Sequence, residues 1–214
     1  MTVNCNMIMN SNQVKLDSQL AQLEDLEAIA YLHMKAFPNF FLTAMGLSFV
    51  REYYRAVLEF PDSIAMVIQR ENKLLGFIVG FGNPEAFYDF YRKRRLRLVG
   101  LTFWAIIRKP YLIKRILLNF RRVSDIKTPE SDIELSSLAV TPDEQGRGIG
   151  TKLIQSFLQI ATERKYQNVY LTTDSQSNDS VNYFYSKLGF ILEESFLSGS
   201  RQMNRYRKTL KITN

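Results

Sequence analysis

The stretch from residue 133 to residue 164 constrains this chain more than any other part of it. Ile133–Val140 reads as a strand, and Thr141-Pro142-Asp143-Glu144 interrupts it. Gln145-Gly146-Arg147-Gly148-Ile149-Gly150 follows. Ile149–Arg164 then places Ile149, Leu153, Phe157, Ile160 and Ala161 on one helical face. Glycines at alternate positions let a backbone approach a ligand closely. The first turn of a helix offers unpaired N–H groups and the positive end of the dipole. Together these make an anion cradle that fits a phosphate or pyrophosphate, with Arg147 as an added cation. The plainer alternative is a turn that only redirects the chain. Two anion loops are excluded: G-x-x-x-x-G-K-[ST] is absent, and the spacing Gly146, Gly148, Gly150 is not G-x-G-x-x-G.

The rest of the pattern surrounds that junction. Residues Gln13–Leu20 suit a short strand, and Asp25–Ala36 suits a helix stopped by Pro38. Phe37–Leu42 reads as an aromatic loop, and Leu47–Phe60 as a second helix closed by Pro61. Ile64–Gln69 and Leu74–Phe81 flank Glu71-Asn72-Lys73 as a hairpin. Beyond the junction come a strand at Asn168–Thr173 and a helix at Ser180–Leu188 ended by Gly189. Paired strands follow at Phe190–Leu197 and Gln202–Leu210. The order is α+β around a strand–helix–strand–helix core, and 214 residues suit one domain over 1–214.

Composition removes several function classes. One cysteine, Cys5, and one histidine, His33, argue against internal disulfides and a structural zinc site; no metal is expected. MTVNCNMIMN lacks the basic and apolar regions of a secretory leader. The longest apolar stretch, near Leu98–Ile107, falls short of the roughly 20 residues that cross a bilayer. The expected location is therefore cytoplasmic, either free or peripheral at the membrane.

The net charge of +7 is concentrated. Residues 90–124 hold 11 basic and no acidic residues, whereas the remainder balances 17 basic against 21 acidic. This belongs to a basic helical insertion at about 84–128. It admits three readings: a helical insertion packed on the domain, a contact with an anionic membrane surface or lipid-linked substrate, or nucleic-acid binding. The last is the weakest, because no stacking module or recognition helix accompanies the charge.

Three blocks in order carry a resemblance. Gln145, Gly148 and Gly150 match [Q/R]-x-x-G-x-[G/A]. Glu134-Leu135-Ser136-Ser137-Leu138-Ala139-Val140-Thr141-Pro142 precedes them. Asn178 and Phe184-Tyr185-Ser186-Lys187-Leu188-Gly189-Phe190 follow. This set resembles the GNAT superfamily of acetyl-CoA-dependent N-acetyltransferases, specifically over Ile133–Phe190 and loosely over Gln13–Phe81. The resemblance implies a three-layer α/β fold, with a mixed, mostly antiparallel central sheet flanked by helices. It implies acetyl-CoA as co-substrate and transfer of acetyl to a primary amine by direct attack in a ternary complex.

The resemblance also distributes roles. The amides of Gln145, Gly146, Arg147, Gly148, Ile149, Gly150 and Thr151 would hold the CoA pyrophosphate. The backbone along Leu138, Ala139 and Val140 would pair with the pantetheine arm, and Asn178 would hydrogen-bond it. Tyr185 stands where the family places its general acid; the alternative is a core tyrosine. Glu134 is the candidate general base, against a strand-end glutamate in solvent. Strict alternation puts Glu134, Ser136, Leu138 and Val140 on one face of the strand. His33 borders the expected acceptor pocket, either orienting an acceptor or simply packed, and Phe37, Phe40 and Phe41 either line that pocket or belong to the core.

The aromatic loop plus the insertion is also similar, more weakly, to acetyltransferases of bacterial surface-polysaccharide pathways. The acceptor is accordingly expected to be a small amine or an amino sugar. Acetylation of a protein N-terminus or lysine, and a non-catalytic acetyl-CoA-binding or membrane module, remain open, as does a homodimer.

Overall fold

The structure, a computed structural model, describes residues 16–93, 129–199 and 201–211. The hairpin turn at Glu71-Asn72 takes φ of 50° and 64°, the left-handed pair that a two-residue turn needs to match strand twist. It joins β2 (Ser63–Arg70) to β3 (Lys73–Phe81). Ahead of it lie β1 (Ser18–Leu20), α1 (Leu26–Ala36), α2 (Phe41–Met45) and α3 (Leu47–Glu59). After it come α4 (Pro84–Lys93), β4 (Asp132–Val140), α5 (Ile149–Glu163), β5 (Asn168–Asp174), α6 (Asp179–Lys187), β6 (Ile191–Ser198) and β7 (Arg201–Thr209). The aromatic loop expected at 37–42 thus contains the start of a five-residue helix, too short to show a helical period.

The seven strands run β1-β2-β3-β4-β5-β7-β6, and every neighbouring pair is antiparallel except β4–β5. This is the three-layer α/β arrangement expected, because each sheet face is apolar and needs a helical cover. Val50, Tyr53, Tyr54 and Val57 of α3 recur at helical spacing and pack with α1 over Phe77, Val79 and Phe81. On the opposite face Leu153, Ile154 and Phe157 of α5 and Tyr185 of α6 cover Ile78, Ile133 and Leu135. The first part of the expected insertion is core: Phe87 of α4 is fully buried and stacks on Phe81 at 4.1 Å. The remainder of the basic segment, 94–128, lies outside the described residues.

One irregularity positions everything that follows. Val79 pairs with Ser137, but the next residue, Gly80, pairs with Leu135. Ser136 is therefore an extra residue, a β-bulge. A one-residue insertion exchanges faces beyond it. Ile133, Leu135, Leu138 and Val140 all belong to the α5/α6 face, and Ala139 belongs to the α1/α3 face. The expectation that Glu134 shares a face with Leu138 and Val140 is corrected: Glu134 pairs with Phe81 and lies on the α1/α3 face.

Candidate active site

β4 and β5 pair only from Asp132–Asn168 to Glu134–Tyr170. Below that point the pair is locked. Asp132 is 1% exposed, accepts from Asn168 Nδ2 at 2.8 Å and pairs with Arg207, which also holds Glu193 at 2.8 Å. Above it, Leu135–Val140 bonds to β3 and Leu171–Asp174 bonds to β7, with no ladder between them. The edge of β4 facing this opening is free of strand partners among the described residues, so an extended chain could add there as a strand does. Glu134 sits at the apex, where the Tyr170 hydroxyl donates to its Oε2 at 3.1 Å.

The glycine turn stands at the other end of β4. Gly146 and Gly148 have φ of 75° and 81°, and a Cβ at either would meet nothing within 4 Å. Backbone geometry requires these two glycines, and they face open space. Gly148 is the N-cap of α5, and no side chain caps that helix end. The first-turn N–H groups therefore retain their capacity for an anion. Gly150 differs: a Cβ there would lie 3.3 Å from Phe184 Cζ, so this glycine lets α5 approach α6. Ile149 is buried and contributes only its backbone to the turn. Gln145 donates from Nε2 to the Val140 carbonyl at 3.3 Å, tying the turn to its strand. Arg147 is largely exposed beside Glu144, which also pairs with Arg70.

The second block lies on α6. Tyr185 is 7% exposed and packs against Phe184, Phe190 and Tyr206. Burial pushes its phenol above the ordinary value, which keeps it protonated. Asn178 donates to Thr173 Oγ1 at 2.8 Å and to the Asp174 carbonyl at 3.1 Å, so its amide nitrogen organises the β5–α6 turn.

The chain matches the Acetyltransferase (GNAT) family over residues 26–190. It belongs to the GNAT acetyltransferases. Solved structures agree on the fold. An N-acetyltransferase from Staphylococcus aureus Mu50 superposes with TM-score 0.59 at 15% identity, covering 91% of this chain and 98% of that one. The ribosomal-protein-S18-alanine N-acetyltransferase from Escherichia coli gives TM-score 0.58 at 13% identity, with coverages of 92% and 96%. Aminoglycoside 6'-acetyltransferase type Ii gives 0.59 at 15%, with 91% and 97%. No curated protein sequence matches. The seven-stranded sheet with six described helices is the GNAT arrangement.

Within this GNAT fold, several residues flank the opening without having stood out in the sequence. Tyr53 and Tyr54 reach the bulge serines from α3, and Tyr170 holds Glu134. Arg201 grips Asp174, the last residue of β5, through Nε at 2.8 Å and through Nη2, and lays its guanidinium 4.8 Å from the Phe40 ring centroid. Phe40 precedes α2, so this contact straps the α1–α2 junction to the far half of the sheet. Phe37 continues it, 5.0 Å from Phe40 and 4.9 Å from His33.

His33 is packed rather than exposed. It is 3% exposed, its Nδ1 meets the Tyr54 hydroxyl at 2.7 Å, and burial lowers its pKa to about 4. The ring is therefore neutral at working pH, and it has no role as a base that titrates near pH 7. Because the unfolded ring takes up a proton near 6.5, stability is full above pH 6.5. It declines as pH falls towards 4, by up to about 3 kcal/mol. His33 is the only histidine, so chemical denaturation between pH 6.5 and 5 reads this group almost alone. The expected result is a falling midpoint in the wild type and a flat one in His33→Gln.

Among the described residues no helix is long and apolar enough to cross a membrane, and no cluster of metal-ligating side chains occurs.

Proposed function

We propose that this chain transfers the acetyl group of acetyl-CoA to the primary amine of a small acceptor, such as an amino sugar. The observation that carries this reading is the opening between β4 and β5, with an uncapped, glycine-fronted helix N-terminus at its outer end. The amides from Gln145 to Thr151, with Arg147, suit a pyrophosphate, and the free edge along Leu138–Val140 suits an extended pantetheine. Neighbours of the same fold include an aminoglycoside 6'-acetyltransferase and a ribosomal-protein-S18-alanine N-acetyltransferase, so the fold by itself leaves the acceptor open.

In this reading the acceptor nitrogen attacks the thioester carbonyl, forming C–N as C–S breaks. Glu134, oriented by Tyr170, takes the proton from nitrogen through water, and Tyr185 gives its proton to the departing thiolate. The experiment is free-thiol release from acetyl-CoA with separate pools of amino sugars and their nucleotides, polyamines and amino acids, and peptides. Turnover on a small-amine pool, reduced about a hundredfold in Tyr185→Phe with acetyl-CoA affinity retained, is expected. Binding without turnover on any pool contradicts free-amine transfer. Such a result redirects the test to acceptors on anionic vesicles, where the basic segment 90–124 would act.

The strap supports a small acceptor over a polypeptide, because it ties the α1–α2 junction to the end of β5 beside the opening, where a polymer would need room. Its guanidinium–ring contact and ion pair are each partly exposed, so their joint contribution is modest. Arg201→Gln is expected to raise acceptor KM by about fivefold with acetyl-CoA affinity unchanged, as measured by steady-state kinetics and titration calorimetry.

A further inference from the structure

The bulge at Ser136 does more than kink β4. It places two consecutive side chains, Ser136 and Ser137, towards α3, where strict alternation would send one of them to the opposite face. Two consecutive residues of α3 answer them. The Tyr53 hydroxyl lies 3.0 Å from Ser136 Oγ, and the Tyr54 hydroxyl, 2.7 Å from His33 Nδ1, faces the Ser137 side chain. These groups lie deep: Tyr54 is fully buried, Tyr53 is 6% exposed and His33 3%. The surroundings are Val50, Val57, Phe77 and Val79, a core that phenylalanines would fill as well. Burying hydroxyls in such a place is unfavourable unless each is bonded, so their presence needs a reason other than packing.

We infer that Tyr53 and Tyr54, backed by His33, are positioning residues that hold the β4 bulge in register at the acetyl-transfer site. The inference rests on the reading given under Proposed function. Ser136 lies two residues beyond Glu134, where the β4–β5 ladder ends. If the bulge migrates along β4 or flattens, the residues between its old and new positions change faces. The N–H and C=O groups that line the opening then point elsewhere, and Glu134 loses its fixed relation to Leu138 and Val140. The Tyr53–Ser136 bond, with the His33-held Tyr54 hydroxyl against Ser137, fixes both the position and the parity of the irregularity. Desolvation keeps both phenols protonated, so the clamp does not depend on pH in the working range.

The test compares Tyr53→Phe, Ser136→Ala, their double variant and Ser136→Thr, with Tyr54→Phe and Ser137→Ala as the second pair. Thiol release at saturating acetyl-CoA and amide hydrogen exchange across 135–140 are both read well below the melting temperature. Each hydroxyl deletion is expected to lower kcat at least tenfold and to speed exchange across 135–140. The double variant should be no worse than the worse single one, and Ser136→Thr should retain activity. A role in stability alone predicts lower melting temperatures with unchanged kcat and unchanged exchange at 135–140, and that result overturns the inference. An inactive wild type contradicts the proposed function instead, while hydrogen exchange still decides the clamp: unchanged protection in all deletions refutes it, and selective loss at 135–140 upholds it.

Discussion

Gly80→Ala is expected to destabilise the protein by about 3 kcal/mol, near the upper end of ordinary overpacking costs. A methyl at this position would overlap the Glu134 carbonyl oxygen and lie 2.5 Å from Phe157 Cζ. Neither neighbour can yield freely. One is the backbone of the last residue paired with β5, and the other is a fully buried ring of α5. For a chain of this size the loss corresponds to a fall in melting temperature of about 10 °C, readable by calorimetry. The position also faces the bulge, since Gly80 pairs with Leu135 just past Ser136. The variant should therefore lose thiol-release activity at temperatures where it remains folded. Full activity in the folded variant would separate the bulge from the chemistry.

Glu134→Gln is expected to lower kcat about a hundredfold while leaving acetyl-CoA affinity within twofold of wild type, as measured by steady-state kinetics and calorimetry. The substitution preserves size and can still accept from Tyr170, which reaches Oε2 at 3.1 Å, but it removes the carboxylate proposed as the proton acceptor. Tyr170→Phe should have a smaller effect, because it frees the carboxylate to rotate without removing it. Comparable activity of Glu134→Gln and wild type would assign the proton to solvent and leave Glu134 a structural role at the apex.

How much of this was legible in the sequence differs by element. The strand–glycine turn–helix junction was readable because φ above zero and a missing side-chain cap leave their mark as glycines. The hairpin was readable because polar Glu71-Asn72-Lys73 separates two apolar runs. Strict alternation puts Glu134 on the wrong face, although the sequence carries a signal of the break. The large apolar residues fall at 133, 135, 138 and 140, so the period of two breaks between Leu135 and Leu138, where two serines stand together. That break marks the bulge. Tyr53 and Tyr54 could not have been singled out without it, since tyrosines on the apolar face of a helix read as ordinary core. The Arg201–Phe40 strap joins residues 161 positions apart and has no local pattern. The motif assigns Asn178 and Gly150 to the cofactor, whereas their visible contacts serve the β5–α6 turn and helix packing.

The opening with its glycine-fronted helix is proposed as an acetyl-CoA site. The most direct measurement is titration calorimetry of the wild type and of Arg147→Gln with acetyl-CoA and with acetyl-pantetheine, which lacks the pyrophosphate. The predicted result is one acetyl-CoA bound per chain, at least tenfold weaker binding of acetyl-pantetheine, and an Arg147→Gln penalty seen only with acetyl-CoA. Equal affinity for the two compounds, or no binding of either, would contradict the account.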